Sequence, residues 1–406
     1  FGLILECERN AANMRLIPVY ITFFLIYGVI LPYLPILVRN LGYRAAVVGI
    51  LLAVSEGAGI LGPFVFGHFA DKRGKYKGCL ILAYILILAF ALPLARFVHP
   101  AASVICIAML AVGYRSALPL LEAVATINLG KDGNYGRIRV TGSISFVCFV
   151  LFLQWVPILR PNTPLNIALW IGMTSALAVL VIILIPLRYT SHKSTQDTST
   201  AGCKARRKIW TPVFILGLLC IALSRLAMTP INSFLSLFMV EYMHWDAVGF
   251  MWALASAAEI PFLYLSHRLI RRFGALPILA FTSAMVGLRL SLYAAFPFKA
   301  GVIIAQLLHS FCYGLFHPAA VAFIAECVPP EHRAFGMTLY FSVGLGIPTF
   351  IGNFAGGFIV DHAGYRSLFG YFTIFAFLGT ALYVICQGFI RKGRKGQSGN
   401  GAHISN

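Results

Sequence analysis

Ionisable side chains interrupt the long apolar stretches of this chain, and these residues have the chemistry to bind and transfer charge. An ionisable group near the centre of a lipid bilayer is costly unless it is paired or hydrated, so it usually has a function. Carboxylates accept hydrogen bonds, guanidinium groups donate them, and imidazole does both. The acids are Glu56, Glu122, Glu259 and Glu326, the bases are Arg115, Arg139, Arg225 and Arg289, and the histidines are His309 and His317.

Glu122 and Arg139 are the first candidate pair for contact with a solute. Glu122 lies near one end of its apolar stretch and Arg139 near the start of the next, so their depths agree. A carboxylate and a planar guanidinium fork can bind a polar solute, or they can form a structural ion pair between two helices. Arg115 lies about two helical turns before Glu122 and shares its helix face. It can line the same cavity or neutralise Glu56.

A second set of candidates lies in the other half of the chain. His309 can titrate near neutral pH, although it can equally be a packed, hydrogen-bonded helix residue. Glu259 is a carboxylate in the middle of its apolar stretch, which makes it a candidate proton carrier. Arg225 lies at a similar depth and can pair with Glu259 or with an anionic substrate. His317 is predicted to be structural.

The composition predicts an all-α membrane protein. Hydrophobic residues make up 59% of the 406 residues and charged residues only 11%, against about 25% charged in an ordinary soluble protein. A membrane-spanning helix needs about 20 apolar residues. Twelve such runs are predicted, at 16–38, 46–70, 78–97, 101–127, 136–158, 165–188, 210–240, 246–268, 275–296, 300–326, 333–359 and 367–390.

The distribution of basic residues predicts the orientation. Most of the 32 Lys and Arg residues lie at the helix ends that share a side with both termini. The positive-inside rule places that side, with both termini, in the cytoplasm. The net charge of +19 is therefore a topology signal, and no soluble basic domain is present that would favour nucleic acid as a partner.

Two equal halves flank a polar segment. Residues 189–209 are rich in Ser, Thr and Lys and are predicted to be a cytoplasmic linker between six-helix bundles at 1–188 and 210–406. Parallel repeats of this kind place the substrate site near the middle of the membrane, between the halves. No loop is large enough for a catalytic domain and no Walker A motif occurs, so neither an enzyme nor ATP-driven transport is expected. The nine cysteines form no CxxC pair, so no metal or cofactor is expected.

One loop carries a family resemblance. The segment GHFADKRGK after the second predicted helix places Asp71, Arg73, Gly74 and Lys75 on the signature pattern G-x-x-x-D-x-x-G-[RK]. It resembles the signature loop of the major facilitator superfamily. The resemblance implies the major facilitator fold of two six-helix bundles, with these four residues as a cytoplasmic conformational latch. Glycine permits the tight turn, and an aspartate at a helix end can interact with a base or a helix N-terminus.

Three further segments are similar to one branch of that superfamily. YGVILPYLP in the first helix, NYGRIRVTGS at the fifth and QLLHSFCYGLFHPAAVAFI in the tenth resemble the lactose permease and phenylpropionate permease groups, which are proton symporters. The resemblance implies that Glu122 and Arg139 contact the substrate. It also implies that Arg289 and His309 belong to a proton-coupling network.

The chain departs from the lactose permease pattern at one position. The proton-carrying glutamate expected three residues after the histidine is Cys312 here. A thiol lacks the chemistry of a carboxylate, so the coupling role passes to Glu259, an acid in the same half of the chain.

The expected function is secondary transport of a small organic solute, with protons and the lipid bilayer as the other partners. Proton-coupled import by a monomer in a bacterial inner membrane is the first expectation. The substrate is an aromatic or other organic acid, or a sugar or nucleoside. Export of a drug or metabolite is the alternative, although the glycine-rich stretch typical of exporters is missing from the fifth helix.

Overall fold

The computed structural model describes residues 2–129, 135–186, 210–329 and 332–400, and this part of the chain contains helices and no strand. The first half consists of α1 (Gly2–Asn40), α2 (Ala45–Arg73), α3 (Tyr76–Arg96), α4 (Pro100–Leu129), α5 (Tyr135–Trp155) and α6 (Pro164–Leu184). The predicted linker 189–209 lies outside the described residues. The all-helical prediction is confirmed.

The second half has shorter and more irregular elements. They are α7 (Pro212–Leu237), a π-helical segment (Phe238–Tyr242), α8 (Val248–Phe273), α9 (Ala275–Ala295), α10 (Lys299–Leu307), α11 (His309–Tyr313), α12 (Phe316–Cys327), α13 (Arg333–Leu339), a second π-helical segment (Tyr340–Gly346) and α14 (Ile347–Asn400). The elements α10, α11 and α12 follow one another closely enough to form one apolar stretch, Lys299–Cys327.

The number of membrane-crossing helices agrees with the sequence. Within the described residues, eleven helical stretches are long and apolar enough to cross a membrane, and the last of them, Phe335–Ile385, has 51 residues. That length is about twice what one crossing needs. Gly364 interrupts it with φ 79° and ψ 175°, which is not helical. The stretch is therefore two helices, and the described residues contain twelve membrane-crossing helices.

Large apolar side chains cover the outer faces of these helices. Trp155, Leu184 and Tyr264 are among many that stay exposed in the isolated chain. A water-soluble monomer does not carry so much exposed apolar surface. Lipid is the solvent that fits it, so the protein is a multi-pass integral membrane protein.

The helices group into two compact units. The first contains the described residues up to 186 together with Asn232–Ala257 and Asn353–His362. In it α4 packs on α2 and α3, while α6 packs on α1 and α3 and α5 packs on α1. The second contains residues 210–231, Ala258–Gly352 and the rest of α14, and there α9 packs against α10, α11 and α12.

Close packing of two helices positions the polar residues of the second unit. Gly314 follows α11, and a Cβ at this position would lie 3.1 Å from the carbonyl oxygen of Glu259. Only glycine allows the backbones to approach so closely without a shift. The absence of a side chain at Gly314 therefore lets α8 bring Glu259 next to the helix that carries His309.

Candidate functional site

Arg115 and Glu56 form a pair in the first unit. The Arg115 guanidinium donates through Nη2 to Glu56 and through Nε to the Tyr114 hydroxyl at 2.7 Å. Gly59 leaves room for the arginine, because a Cβ there would lie 2.8 Å from Arg115 Cγ. The sequence left two roles open for Arg115, and the structure shows it neutralising Glu56.

Arg139 has an unusual environment on α5. Its guanidinium carbon lies 5.0 Å from the centre of the Phe24 ring on α1. Its Nη1 atom is buried and has no hydrogen-bond partner in the part of the chain that the structure describes. Phe24 in turn packs edge-to-face on Phe23 and Tyr27. A guanidinium with a spare donor beside an aromatic cluster suits a ligand that carries both a negative charge and a ring.

Glu122 is half-buried on α4 and makes interactions of its own. Among the described residues, no ion pair joins it to Arg139, whose ring contact is with Phe24. Substrate contact by Glu122 and Arg139, and the alternative of a structural ion pair between them, both stay predictions.

Arg289 is the centre of a buried network in the second unit. Its side chain on α9 is 1% exposed. Nε donates to the Tyr293 hydroxyl at 3.3 Å, Nη1 contacts His309 Nδ1 at 2.8 Å, and Nη2 donates to Gln306 Oε1. The Tyr293 hydroxyl also donates to Gln306 Oε1 at 3.0 Å. Each guanidinium nitrogen thus has a partner, as a buried arginine requires.

His309 connects that network to Glu259. The distance from His309 Nε2 to Glu259 Oε2 is 3.7 Å, which permits electrostatic attraction but exceeds a hydrogen bond. The imidazole ring stacks on Tyr313, with 5.5 Å between ring centres. The structure therefore brings together Arg289, His309 and Glu259, as the sequence predicted. Cys312 is completely buried beside them.

Arg225 pairs with a hydroxyl group rather than with an acid. Its Nε donates to Thr349 Oγ1 on α14 at 3.0 Å. No carboxylate lies within ion-pair distance of Arg225 among the residues that the structure describes. The described residues show no ion pair between Arg225 and Glu259, whose Oε2 lies 3.7 Å from His309 Nε2. His317 contacts the Tyr340 hydroxyl through Nδ1 at 2.7 Å.

A set of contacts within the first unit, called the clasp here, joins helix ends from both halves of the sequence. Arg39 at the end of α1 pairs with Glu241 at 2.5 Å, Arg160 after α5 pairs with Asp246 at 3.0 Å, and Arg44 before α2 pairs with Asp361 at 3.5 Å. The ends of α1 and α5, the segment after α7 and the break at Gly364 within α14 are each reached after an odd number of membrane crossings. They therefore share the side opposite the N-terminus.

Two backbone approaches complete the clasp. Gln154 donates to the Asp246 carbonyl at 2.9 Å and accepts from the Gly249 amide at 3.0 Å. Gly49 on α2 faces α14, where a Cβ would lie 2.5 Å from the carbonyl oxygen of Asn353 and 2.7 Å from Gly357 Cα. Such distances are possible only without a side chain, so the two helices touch through their backbones.

The signature loop connects α2 to α3 as a tight turn. Gly74 has φ 62° and ψ 20°, the left-handed conformation that ends many helices. Asp71 accepts a hydrogen bond from the Tyr76 hydroxyl, and the Arg73 guanidinium lies 5.6 Å from the centre of the Phe69 ring. Lys75 precedes the first turn of α3. The tight turn that the sequence predicted at Gly74 is present.

Sequence reasoning did not identify Gln306, Tyr293 and Thr349, which contact Arg289 or Arg225. They are uncharged residues in apolar helices, and nothing in their type marks them as partners of an arginine. Helical spacing gives one signal, since Tyr293 lies one turn after Arg289 on the same face.

Comparisons with known proteins agree with this architecture. The maltose permease of Geobacillus stearothermophilus is 23% identical over 92% of this chain and 95% of its own length. The probable 3-phenylpropionic acid transporter of Escherichia coli (strain K12) is 24% identical over 85% of this chain and 90% of its own. The crystal structure of a mutant of the nucleoside transporter NupG superposes with a TM-score of 0.79 at 16% identity, covering 92% and 99% of the two chains.

These relatives are transporters and not enzymes, and the solved structure shares the fold. The sequence profile of the MFS_1 like family matches residues 13–371. The chain is therefore a secondary transporter with the major facilitator fold, and it belongs to the MFS_1 like family.

Proposed function

We propose that this protein imports a small organic carboxylate, with an aromatic ring, together with protons. The observation that carries the proposal is the environment of Arg225, which donates to the Thr349 hydroxyl at 3.0 Å and forms no ion pair with a carboxylate among the described residues. Arg225 is half-buried, and a charge that is partly removed from water is costly unless an opposite charge compensates it. A substrate carboxylate would supply the missing negative charge and can bind a guanidinium through two hydrogen bonds.

Arg139 supports the same substrate class from the first unit. Its buried Nη1 has a free donor, and Phe24 with Tyr27 offers aromatic surface beside it. Taken by itself, this donor could bind the carboxylate of an aromatic acid while the ring of the acid packs on the aromatic cluster, so Arg139 is a second candidate contact for the same class of ligand. The likeness to a probable 3-phenylpropionic acid transporter is consistent with this substrate. Glu122 is proposed as a further substrate contact, and Arg115 as the residue that neutralises Glu56 at the edge of the site.

Proton coupling follows from the energetics of anion uptake. A membrane potential that is negative inside opposes the entry of a monoanion by about 2.3 kcal/mol per 100 mV. Entry of one proton with each monoanion removes that penalty, because the net charge moved is zero. Glu259 is proposed to carry the proton, with Arg289 and His309 adjusting its affinity. It is an acid close to a histidine in the second unit.

Transport also requires the clasp to open and close. With both termini in the cytoplasm, the clasp lies on the external side of the membrane. Its opening would admit substrate from outside, as alternating access demands. Asp71, Arg73, Gly74 and Lys75 lie on the opposite side of the membrane, where they are proposed to act as the cytoplasmic latch. The bacterial relatives favour a bacterial inner membrane.

The test is uptake into proteoliposomes with a matched pair of solutes. An aromatic carboxylate is compared with its primary amide, which has the same ring and nearly the same size but no charge. We expect the acid to accumulate when the vesicle interior is alkaline, and the amide to be excluded. Arg225→Gln should remove most acid uptake, whereas Arg225→Lys should retain part of it because the charge remains.

The same uptake assay, extended to further solutes, decides between substrate classes and between import and export. Glycosides and nucleosides are included because the chain is similar to a maltose permease in sequence and to a nucleoside transporter in structure. Uptake of a glycoside or nucleoside without uptake of any carboxylate would overturn the carboxylate proposal. If the solute moves only outward while protons move inward, the protein is an exporter and not an importer.

A further inference from the structure

His309 contacts an arginine through one ring nitrogen and faces an acid through the other. Arg289 Nη1 lies 2.8 Å from His309 Nδ1. A guanidinium has donors and no acceptor, and it stays protonated in proteins. His309 Nδ1 must therefore be the acceptor in this contact, so it carries no proton while the contact exists.

The position of the proton on His309 follows from that contact. A neutral imidazole has one protonated nitrogen, so the proton is on Nε2, 3.7 Å from Glu259 Oε2. A doubly protonated ring would place an N–H against the Arg289 guanidinium, with two positive charges in hydrogen-bond contact at a buried position. Among the described residues, the carboxylate that forms an ion-pair contact with this network is Glu259.

Gln306 and Tyr293 keep Arg289 in this orientation. Gln306 is 1% exposed, and its Oε1 accepts from both Arg289 Nη2 and the Tyr293 hydroxyl. The same hydroxyl accepts from Arg289 Nε. With two of its nitrogens held from α9 and α10, the guanidinium can direct only Nη1 at His309. The other titratable groups facing the ring are Cys312 and Tyr313 on its own helix.

We propose that Gln306 and Tyr293 are positioning residues that hold Arg289 against His309 and keep that histidine neutral, with its proton on Nε2. His309 then faces Glu259 with the protonated Nε2, 3.7 Å from Oε2, and does not itself gain or lose the transported proton. This inference rests on the proposed function only for the identity of Glu259 as the carrier. The tautomer itself is a property of the protein without substrate.

Nitrogen NMR of the purified protein in nanodiscs tests the tautomer without any transport measurement. The histidines are labelled with ¹⁵N, and the His309 signals are assigned as those missing from the His309→Gln variant. Between about pH 5 and pH 8, the range in which an unperturbed histidine titrates, we expect one protonated and one unprotonated nitrogen throughout. A doubly protonated His309 within that range, or a proton on Nδ1, would overturn the proposal.

Substitution of the positioning residues gives a second readout. Gln306→Leu and Tyr293→Phe release the guanidinium, and we expect His309 to titrate or to populate both tautomers in these variants. Thr282→Val is a control on α9, since the Thr282 hydroxyl donates to the Leu279 carbonyl and lies outside the network. His309 signals that are the same in Gln306→Leu and in the unmodified protein would contradict the positioning role.

Transport by His309→Gln separates this inference from the proposed function. A glutamine amide can accept from Arg289 and present its N–H groups toward Glu259, but it cannot titrate. We expect accumulation in this variant to exceed that of His309→Ala by about tenfold, the value of a hydrogen bond to a charged group. If His309→Gln exchanges substrate but no longer accumulates it, His309 is the carrier and the inference fails. If the unmodified protein does not accumulate any solute with protons, the proposed function fails and the NMR result still decides the tautomer.

Discussion

Substitution of Gly49 should prevent the clasp from closing. In Gly49→Leu the new Cβ would lie 2.5 Å from the Asn353 carbonyl oxygen and 2.7 Å from Gly357 Cα. Both obstacles are backbone atoms, so no rotation of a side chain can relieve the contact. Excess volume in a well-packed interface costs about 1–3 kcal/mol, and rigid obstacles place Gly49→Leu toward the upper part of that range.

The ion pairs of the clasp contribute less than the backbone contact. In the pair Arg39–Glu241 the side chains are 31% and 28% exposed, and Arg44 is 81% exposed in its pair with Asp361. Pairs as accessible as these are worth about 0.2–1 kcal/mol each because water and salt screen them. Loss of one pair, as in Glu241→Gln, should therefore change the ratio of closed to open clasp by at most about fivefold. Gly49→Leu should change it by tenfold or more, since about 1.4 kcal/mol is a factor of ten.

Electron paramagnetic resonance can measure that ratio directly. Spin labels replace Asn40 and Tyr242, which are exposed at the ends of α1 and of the π-helical segment after α7. We expect a single short distance in the unmodified protein, mainly a longer one in Gly49→Leu, and a small change in Glu241→Gln. Gly78→Leu is the control, because a Cβ at Gly78 has open space around it. A Gly49→Leu protein with the unmodified distance distribution would refute the backbone-contact argument.

The other predictions concern topology, the substrate site and the coupling site. A reporter that is active only in the cytoplasm should give signal when fused to the C-terminus, and a silent fusion of normal abundance would contradict the orientation. Glu122→Gln and Arg139→Lys should each reduce uptake strongly at unchanged membrane abundance, and normal uptake in both would make these residues structural. Glu259→Gln should abolish proton-driven accumulation but spare exchange of labelled for unlabelled substrate, whereas surviving accumulation would exclude it as the carrier. Cys312→Ser should still accumulate solute, because the thiol is not the proposed proton carrier. Loss of accumulation in this variant would assign a role to Cys312.

The number of helices could be predicted from the sequence because each helix has its own apolar run, which can be recognised without knowledge of the other helices. Each crossing helix contributes about 20 apolar residues, and the polar interruptions are short. The turn at Gly74 was predictable for a similar local reason, since a left-handed residue at a helix end favours glycine. The break at Gly364 was expected as the gap between the last two predicted helices at 333–359 and 367–390.

The partners of Arg225 and Arg289 were less predictable because they depend on which helix faces align. The sequence placed Arg289 and His309 together through a resemblance and left Arg225 with two options. It gave no reason to choose Thr349, because a threonine in an apolar helix has no distinguishing signal. The sequence also did not predict the approach of α8 to α11 at Gly314. A close backbone contact depends on two helices that are distant in sequence, so neither helix alone indicates it.

The contacts of Arg289, His309 and Glu259 bear on the proposal that Glu259 carries the proton, although the resemblance to lactose permease predicts an acid at the position of Cys312. Position 312 is completely buried beside Arg289, whose guanidinium nitrogens already have partners in Tyr293, His309 and Gln306. A carboxylate at 312 would compete for that guanidinium and remain ionised beside it. On α8 the Glu259 carboxylate lies 3.7 Å from His309 Nε2, and Nδ1 of the same ring contacts Arg289. In the proposed role, separation from the permanent charge of Arg289 would let Glu259 exchange its proton when the helices move.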